Sequence, residues 1–312
     1  MKKSWPVLSY EKGRPTYETL QLWMQILGKI KLAALPWANH SWNCTLHISP
    51  TGLSTQNISY LDKVFQIDLD LITHQLRIVS NLGETRDFAL QHLNVAGFYK
   101  LIFEKLRELD IIIEIMTTPS EIENPIPFEL DNVHGTYEVL QAVNFHKALC
   151  NIQDVFMIFR GDFIGKSSPI HFFWGGFDLS LAFFSGEKAP SHPGKMPGMP
   201  NWVLQDAFSH EVSDFGFITG NQTYPHAAFY CYIYPEPVGY KEGKVQPPGA
   251  FYHEASGQFI LPYAAVQNAD NPEQKLLEFL KSTYIIGAGL SHWKSELWEE
   301  NRNFKDIIPI TI

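Results

Sequence analysis

Two apolar-rich runs, residues 170–174 and 177–184, are separated only by Gly175-Gly176. A glycine pair between two such runs suits the two-residue primed turn that closes an antiparallel hairpin. Counting outward from that turn pairs Trp174 with Phe177, Phe173 with Asp178, Phe172 with Leu179 and His171 with Ser180. Side chains alternate along a strand, so Phe172, Trp174, Phe177 and Leu179 share one face. The other face carries His171, Phe173, Asp178 and Ser180. A register fixed this tightly commits the middle of the chain to antiparallel sheet.

The same periodicity extends the plan. Alternation at 41–49 and 64–71 predicts strands, 75–79 completes a second hairpin, and 85–90 adds another strand. Residues 111–116 are wholly apolar and read as a short strand. Further strands are predicted at 215–219, 228–234, 250–253 and 258–263. Leu20, Trp23, Leu27 and Ile30 mark one face of a helix over 17–34. Helices are also expected over 94–109, 137–163, 273–286 and 291–299. The longest carries Phe145, Leu149, Ile152, Phe156, Phe159 and Phe163 as a wide apolar stripe.

The expected fold is therefore α+β: two packed halves, each a helix, several antiparallel strands and a helix. Residues 1–116 form the N-terminal half and 137–312 the C-terminal half, joined by a proline-rich linker over 117–136; one single globule is the alternative. Leu46-His47-Ile48 and Gly52-Leu53 overlay Ile170-His171-Phe172 and Gly176-Phe177 without a gap. An internal duplication explains this, and so does a plan shared by two unrelated units.

Composition narrows the function classes. A chain of 312 residues with 45% hydrophobic and 18% charged residues buries a core without disulfides or metals. A net charge of −9 removes any global attraction to nucleic acid or anionic membrane. No apolar stretch is long enough to span a bilayer, and the apolar run after Lys2-Lys3 is too short for a signal peptide. Cys44, Cys150 and Cys231 are odd in number and widely spaced, which is neither a disulfide framework nor a metal pair. These readings place the protein in the cytoplasm, with neither nucleic acid nor membrane as partner. A small molecule and a homo-oligomer remain as partners, and the sequence leaves the cofactor unknown.

Candidate chemistry concentrates around the central hairpin. His171, Asp178 and Ser180 share a face, the composition of acid–base or nucleophilic machinery. The plainer reading is a satisfied polar face, and no GxSxG elbow strengthens the sharper one. Gly161 to Ser167 resembles a phosphate loop but lacks its spacing and follows a helix, so nucleotide hydrolysis is rejected. His210-Glu211 resembles part of a zincin motif, yet on a strand the two point to opposite faces. Clustered histidines, such as His171, His192 and His210, keep a metal-dependent enzyme as an alternative, with no metal ligand assigned. The long loop 185–209 is a candidate lid, lined by His192, Lys195, Met196, Met199 and Trp202. Tyr230, Tyr232 and Tyr234 share a strand face that suits a pocket wall or an interface.

His40-Ser41-Trp42-Asn43, the run from Glu121 to Phe128, the run from Gly165 to Asp178, Ser209-His210-Glu211-Val212-Ser213 and Tyr234-Pro235-Glu236-Pro237 together resemble the signature of a bacterial family of uncharacterised proteins, a domain of unknown function. The resemblance covers nearly the whole chain and implies no activity. It also implies that the segment around Pro125 is integral to the fold.

The leading functional expectation is a small organic ligand in an aromatic-lined cleft, with hydrolase or transferase chemistry if the protein is an enzyme. Catalytic candidates are His171 as general base, Asp178 orienting it, and Ser180. Ligand-binding candidates are Trp42, Lys166, Trp174, His210, Glu211, Tyr230 and Tyr232. His171→Ala is expected to abolish binding while leaving the melting temperature nearly unchanged. The rival class is a non-catalytic binding or assembly protein that uses the aromatic face as an interface.

Overall fold

A computed structural model describes residues 3–299. The first two residues and the end of the C-terminal half, 300–312, lie outside it. Helix α1 spans Tyr10–Ala34. The N-terminal strands are β1 (His47–Ser49), β2 (Gly52–Ser54), β3 (Ile58–Tyr60), β4 (Lys63–Asp70), β5 (Gln75–Ser80) and β6 (Thr85–Ala89), followed by α2 (Val95–Arg107). Helix α3 (Val139–Gly161) opens the C-terminal half. Strands β7 (Lys166–Ser167), β8 (His171–Phe173) and β9 (Asp178–Lys188) come next, then α4 (Asn201–Ala207). Strands β10 (His210–Ile218), β11 (Ala228–Tyr234), β12 (Phe251–His253) and β13 (Gln258–Pro262) lead into α5 (Tyr263–Gln267) and α6 (Pro272–Leu290).

All strand pairs are antiparallel. One sheet runs β1-β2-β4-β5-β6, with β3 on β4. The other runs β12-β13-β11-β10-β9-β7, with β8 on β9. The α+β class is thus confirmed. Both sheets turn apolar faces to the long helices. Leu20, Trp23, Leu27 and Ile30 of α1 are fully buried, as are Phe145, Leu149, Ile152, Phe156 and Phe159 of α3. One continuous apolar cluster includes residues from both halves.

The halves meet through the segments that resemble each other. Leu46 and Phe172 exchange both backbone hydrogen bonds, at 3.0 and 2.8 Å. In antiparallel register this sets His47 level with His171, the two histidines matched by the sequence overlay. A local two-fold relation therefore passes between them. Each half also orders its strands as a meander between a long leading helix and a closing helix, with β12 an extra edge strand in the second. A duplication of one half fits this arrangement.

Several boundaries differ from the sequence reading. Helix α1 begins at Tyr10 rather than at 17 because Ser9 caps it, its Oγ accepting from Lys12 N at 3.4 Å. Gly13 and Pro15 sit inside the helix. The strand expected over 41–49 starts only at His47. Residues Asn39–Cys44 form short helical turns instead, interrupted by left-handed His40 and Ser41, at φ 61° and 58°. Residues 111–116 form no strand; Tyr60 Oη bonds the carbonyl and the N–H of Ile112 at 2.9 and 3.2 Å. The expected last helix, 291–299, reduces to one turn at Ser295–Leu297. Loop 185–209 is half structured, since β9 runs on to Lys188 and α4 fills Asn201–Ala207.

Candidate functional site

The central hairpin has the expected register: His171 opposes Ser180, Phe172 opposes Leu179 and Phe173 opposes Asp178. Its turn is different. Residues 174–177 make a four-residue turn in which Phe177, not a glycine, is left-handed (φ 56°). The glycines provide room rather than handedness. A Cβ on Gly175 would collide with Glu121 Oε1, and one on Gly176 would lie 2.6 Å from Asp178 Oδ1.

That room is filled by a segment the sequence reading treated as linker. Helix α1 pins it with three side-chain bonds. Gln25 exchanges two with Ser120, Nε2 donating to the carbonyl at 2.9 Å and Oε1 accepting from the N–H at 2.8 Å. Lys29 Nζ donates to the Thr118 carbonyl at 2.9 Å. Glu121 N–H donates to the Pro197 carbonyl at 2.9 Å, so loop 189–200 is tied to the same place. Gln21 Nε2 donates to the Gly175 carbonyl at 2.6 Å. Glu121 is thereby fixed over the turn, in a left-handed conformation (φ 61°).

Beyond Glu121 opens a cleft of about 510 Å³, bordered by Arg14, Tyr17, Gln21, Asn124, Phe177 and Thr219. Asn124 is also left-handed, at φ 52°. Three strained non-glycine residues therefore border one cleft, the kind of site where backbone strain concentrates.

Behind Glu121 the hairpin's polar face carries a buried carboxylate network. Tyr230 Oη donates to Asp178 Oδ2 at 2.6 Å. Ser180 Oγ donates to both oxygens of Asp214, at 3.1 and 3.0 Å. Gly216, opposite Tyr230, lets the tyrosine ring lie across β10, since a Cβ there would overlap it. Burial pushes the Glu121 carboxyl up to about 7, and the Asp178 charge adds to it. Burial likewise raises Asp178 to about 6, against the Tyr230 bond, which holds it down. Asp214 is raised well above the ordinary carboxyl range by burial and then by Asp178. None of the three takes its shift from a neighbouring cation.

The imidazole end of the face is separate. His171 is fully buried, and its Nδ1 lies 2.7 Å from the Pro169 carbonyl. Its hydrogen-bond partner is therefore Pro169, not Asp178, and Ser180 is engaged with Asp214. Full burial also removes the expectation that His171→Ala leaves the melting temperature unchanged, because truncation opens a cavity. Trp42 stands over this end, with its ring centroid 6.5 Å from that of His171.

The other candidate residues disperse. Trp174 lies on the opposite face, wedged against Gly28 of α1, with Nε1 donating to the Cys44 carbonyl at 2.8 Å. Lys166 is exposed on the short edge strand β7. His210 Nδ1 meets Ser209 Oγ at 3.1 Å, and Glu211 accepts from Ser185 Oγ at 2.8 Å. Tyr232 stacks beside Tyr230, with centroids 6.1 Å apart. The tyrosine face is not an open surface: Phe208 packs on Tyr232 and Tyr234, and Tyr234 Oη donates to the Pro190 carbonyl at 2.9 Å. Among the described residues no group of three or more His, Cys, Asp or Glu is placed to hold a metal ion, so the clustered-histidine metal centre does not assemble there. No described helix is long and apolar enough to cross a membrane.

Sequence reasoning missed Glu121 and Asp214. Glu121 sits in a proline-rich stretch with no periodicity, and Asp214 is a single acid just past His210-Glu211 that completes no motif. The pairing register puts Asp214 opposite Tyr232 and on the face of Tyr230, which alternation along a single strand does not reveal.

No curated protein and no solved structure matches the chain. A family model described as a family of unknown function (DUF5996) matches residues 5–300. From Trp5 through the buried carboxylate network to the end of the described chain, this protein belongs to that family.

Proposed function

We propose that the protein binds a small polar organic molecule in the cleft beside the Gly175-Gly176 turn, with Glu121 sharing a proton with it. The observation that carries this reading is the Glu121 carboxyl. It borders a cleft of ligand size and is pushed up to about 7, where it serves as proton donor or acceptor near neutrality. The surrounding carboxylates, with no cation raising or lowering them, favour a ligand that brings hydrogen-bond donors, a hydroxyl or an amine. If the bound molecule reacts, acid–base chemistry through Glu121, with Asp178 adjusting its proton affinity, suits hydrolysis or group transfer.

The test is a ligand-observed NMR screen of small amines and polyols against the wild type and Glu121→Gln. Compounds that bind the wild type and lose at least tenfold in affinity in the variant support the reading. Hits that ignore the substitution, or bind away from the cleft, refute it. The assembly alternative loses its main surface, because the tyrosine face is covered by residues of the same chain.

A further inference from the structure

A second set of buried polar groups lies under the His40-Ser41-Trp42-Asn43 turn, outside the cleft and independent of Glu121. The Trp42 ring stacks on His40 (centroids 5.3 Å, planes 19° apart) and stands edge-on to His171. Phe173 closes one side, 4.6 Å from His171 and 6.1 Å from His40. Phe184 closes the other, 6.0 Å from His40 and 5.9 Å from Trp42. Helix α4 forms the cover: Asp206 accepts from His40 N at 3.1 Å and from Trp37 Nε1 at 3.2 Å.

Among the rings of this cluster three nitrogens find no hydrogen-bond partner in the protein: His40 Nδ1, Trp42 Nε1 and His171 Nε2. His40 and His171 are 7% and 0% exposed. Their chemistry follows from their other contacts. A carbonyl only accepts, so His171 Nδ1 carries the proton toward Pro169, and in the neutral ring Nε2 is a bare lone pair. At His40 the nearby Ala207 backbone favours the ring proton against burial, and Nδ1 is the buried ring nitrogen with no partner. Burial keeps both rings neutral. Trp42 Nε1–H is a donor only. Unpaired polar groups of this kind are rare inside proteins and costly. Of the nine such side-chain atoms among the described residues, three belong to this one cluster of rings, which points to a guest.

We infer that the box formed by His40, Trp42 and His171 binds the hydroxyl group of a small neutral molecule, which accepts from Trp42 Nε1–H and donates to an imidazole lone pair. An anion meets a bare lone pair on each imidazole and no charged donor among these rings, the indole Nε1–H and the neighbouring Asn43 Nδ2 both being neutral. A hydroxyl is the simplest group that matches a donor and an acceptor at once.

The test uses full-length protein with ¹⁵N-labelled histidine and tryptophan, and methanol as the probe. Acetonitrile, similar in size but without a donor hydrogen, is the control. In the free protein His171 should show a protonated Nδ1 and an unprotonated Nε2. Methanol should move the His171 or His40 lone-pair nitrogen and the Trp42 Nε1–H resonances together, and acetonitrile should leave the imidazole nitrogens unmoved. Trp42→Phe, which keeps a ring and removes the donor, should weaken the methanol response about tenfold, the equivalent of one hydrogen bond. A wild-type His171 with Nε2 protonated overturns the proposal without any variant. So does an imidazole response equal for the two probes, or none to methanol, which would leave the box to water alone.

Discussion

Replacing Glu121 by glutamine tests the raised carboxyl directly. The group has an ordinary value near 4.5 and is pushed up to about 7 in the folded protein. Between those values the folded state holds a proton that the unfolded chain has released, so stability falls as pH rises through the interval. At about 1.4 kcal/mol per pH unit the interval amounts to about 3 kcal/mol. Because the carboxyl borders the cleft, solvent screening reduces the expected figure to about 2 kcal/mol. Glutamine has the same shape and cannot ionise. The variant should therefore match the wild type within about 1 kcal/mol near pH 5 and exceed it by about 2 kcal/mol near pH 9. Urea unfolding of both proteins at the two pH values isolates the effect of Glu121 and the carboxyls coupled to it, since the other titrating groups cancel in the difference. A stability difference that does not change with pH, or a glutamine variant weaker than the wild type near pH 9, would refute the assignment of a raised carboxyl at this position.

Other substitutions probe the frame around the site. Gly28→Ala forces a methyl into the Trp174 indole and strains its bond to the Cys44 carbonyl; a loss of about 1–3 kcal/mol is expected, read as a lower thermal midpoint, despite the better helix propensity of alanine. Tyr230→Phe removes the 2.6 Å bond that holds Asp178 down. It should cost about 1–3 kcal/mol in urea unfolding, with the larger loss at high pH where Asp178 is charged, and an equal loss at pH 5 and 8 would count against that bond. His40 and His47 are pushed down to about 4 and His171 to about 3, all by burial. The unfolded chain therefore binds protons that the folded one refuses, and stability is intact above the ordinary value of 6.5 and lost below it. Together they contribute a loss of about 4 kcal/mol per pH unit below pH 6, opposite in sign to the raised carboxyls, so the effect is read by difference: His47→Gln should gain on the wild type by about 1 kcal/mol per pH unit below pH 6 in urea unfolding, and a difference that does not change with pH would contradict it.

Much of this protein was legible before folding. The register of His171 against Ser180 and of Phe173 against Asp178 follows from counting outward from the glycine pair, because alternation and an even loop leave no other pairing. The buried stripe of α3 follows from its spacing, and the α+β plan follows from the order of periodic segments. The family resemblance rests on motifs that are local in sequence. These features depend on neighbours along the chain, and short-range sterics and side-chain periodicity settle them.

The site depended on contacts across the chain. Nothing around Glu121 announces that its backbone will be pinned by Gln25 and Lys29 from a helix nearly a hundred residues earlier. The glycine pair reads as a turn signal, yet its use is to admit a carboxylate from another segment. His171 and Asp178 share a face as counted, but Pro169 and Tyr230 took their hydrogen bonds, since a buried polar group bonds whatever lies at the right distance and angle. The Asp178–Asp214–Glu121 coupling exists only because three separate stretches exclude water at one place, and a carboxyl's proton affinity is set by that exclusion rather than by its sequence neighbours.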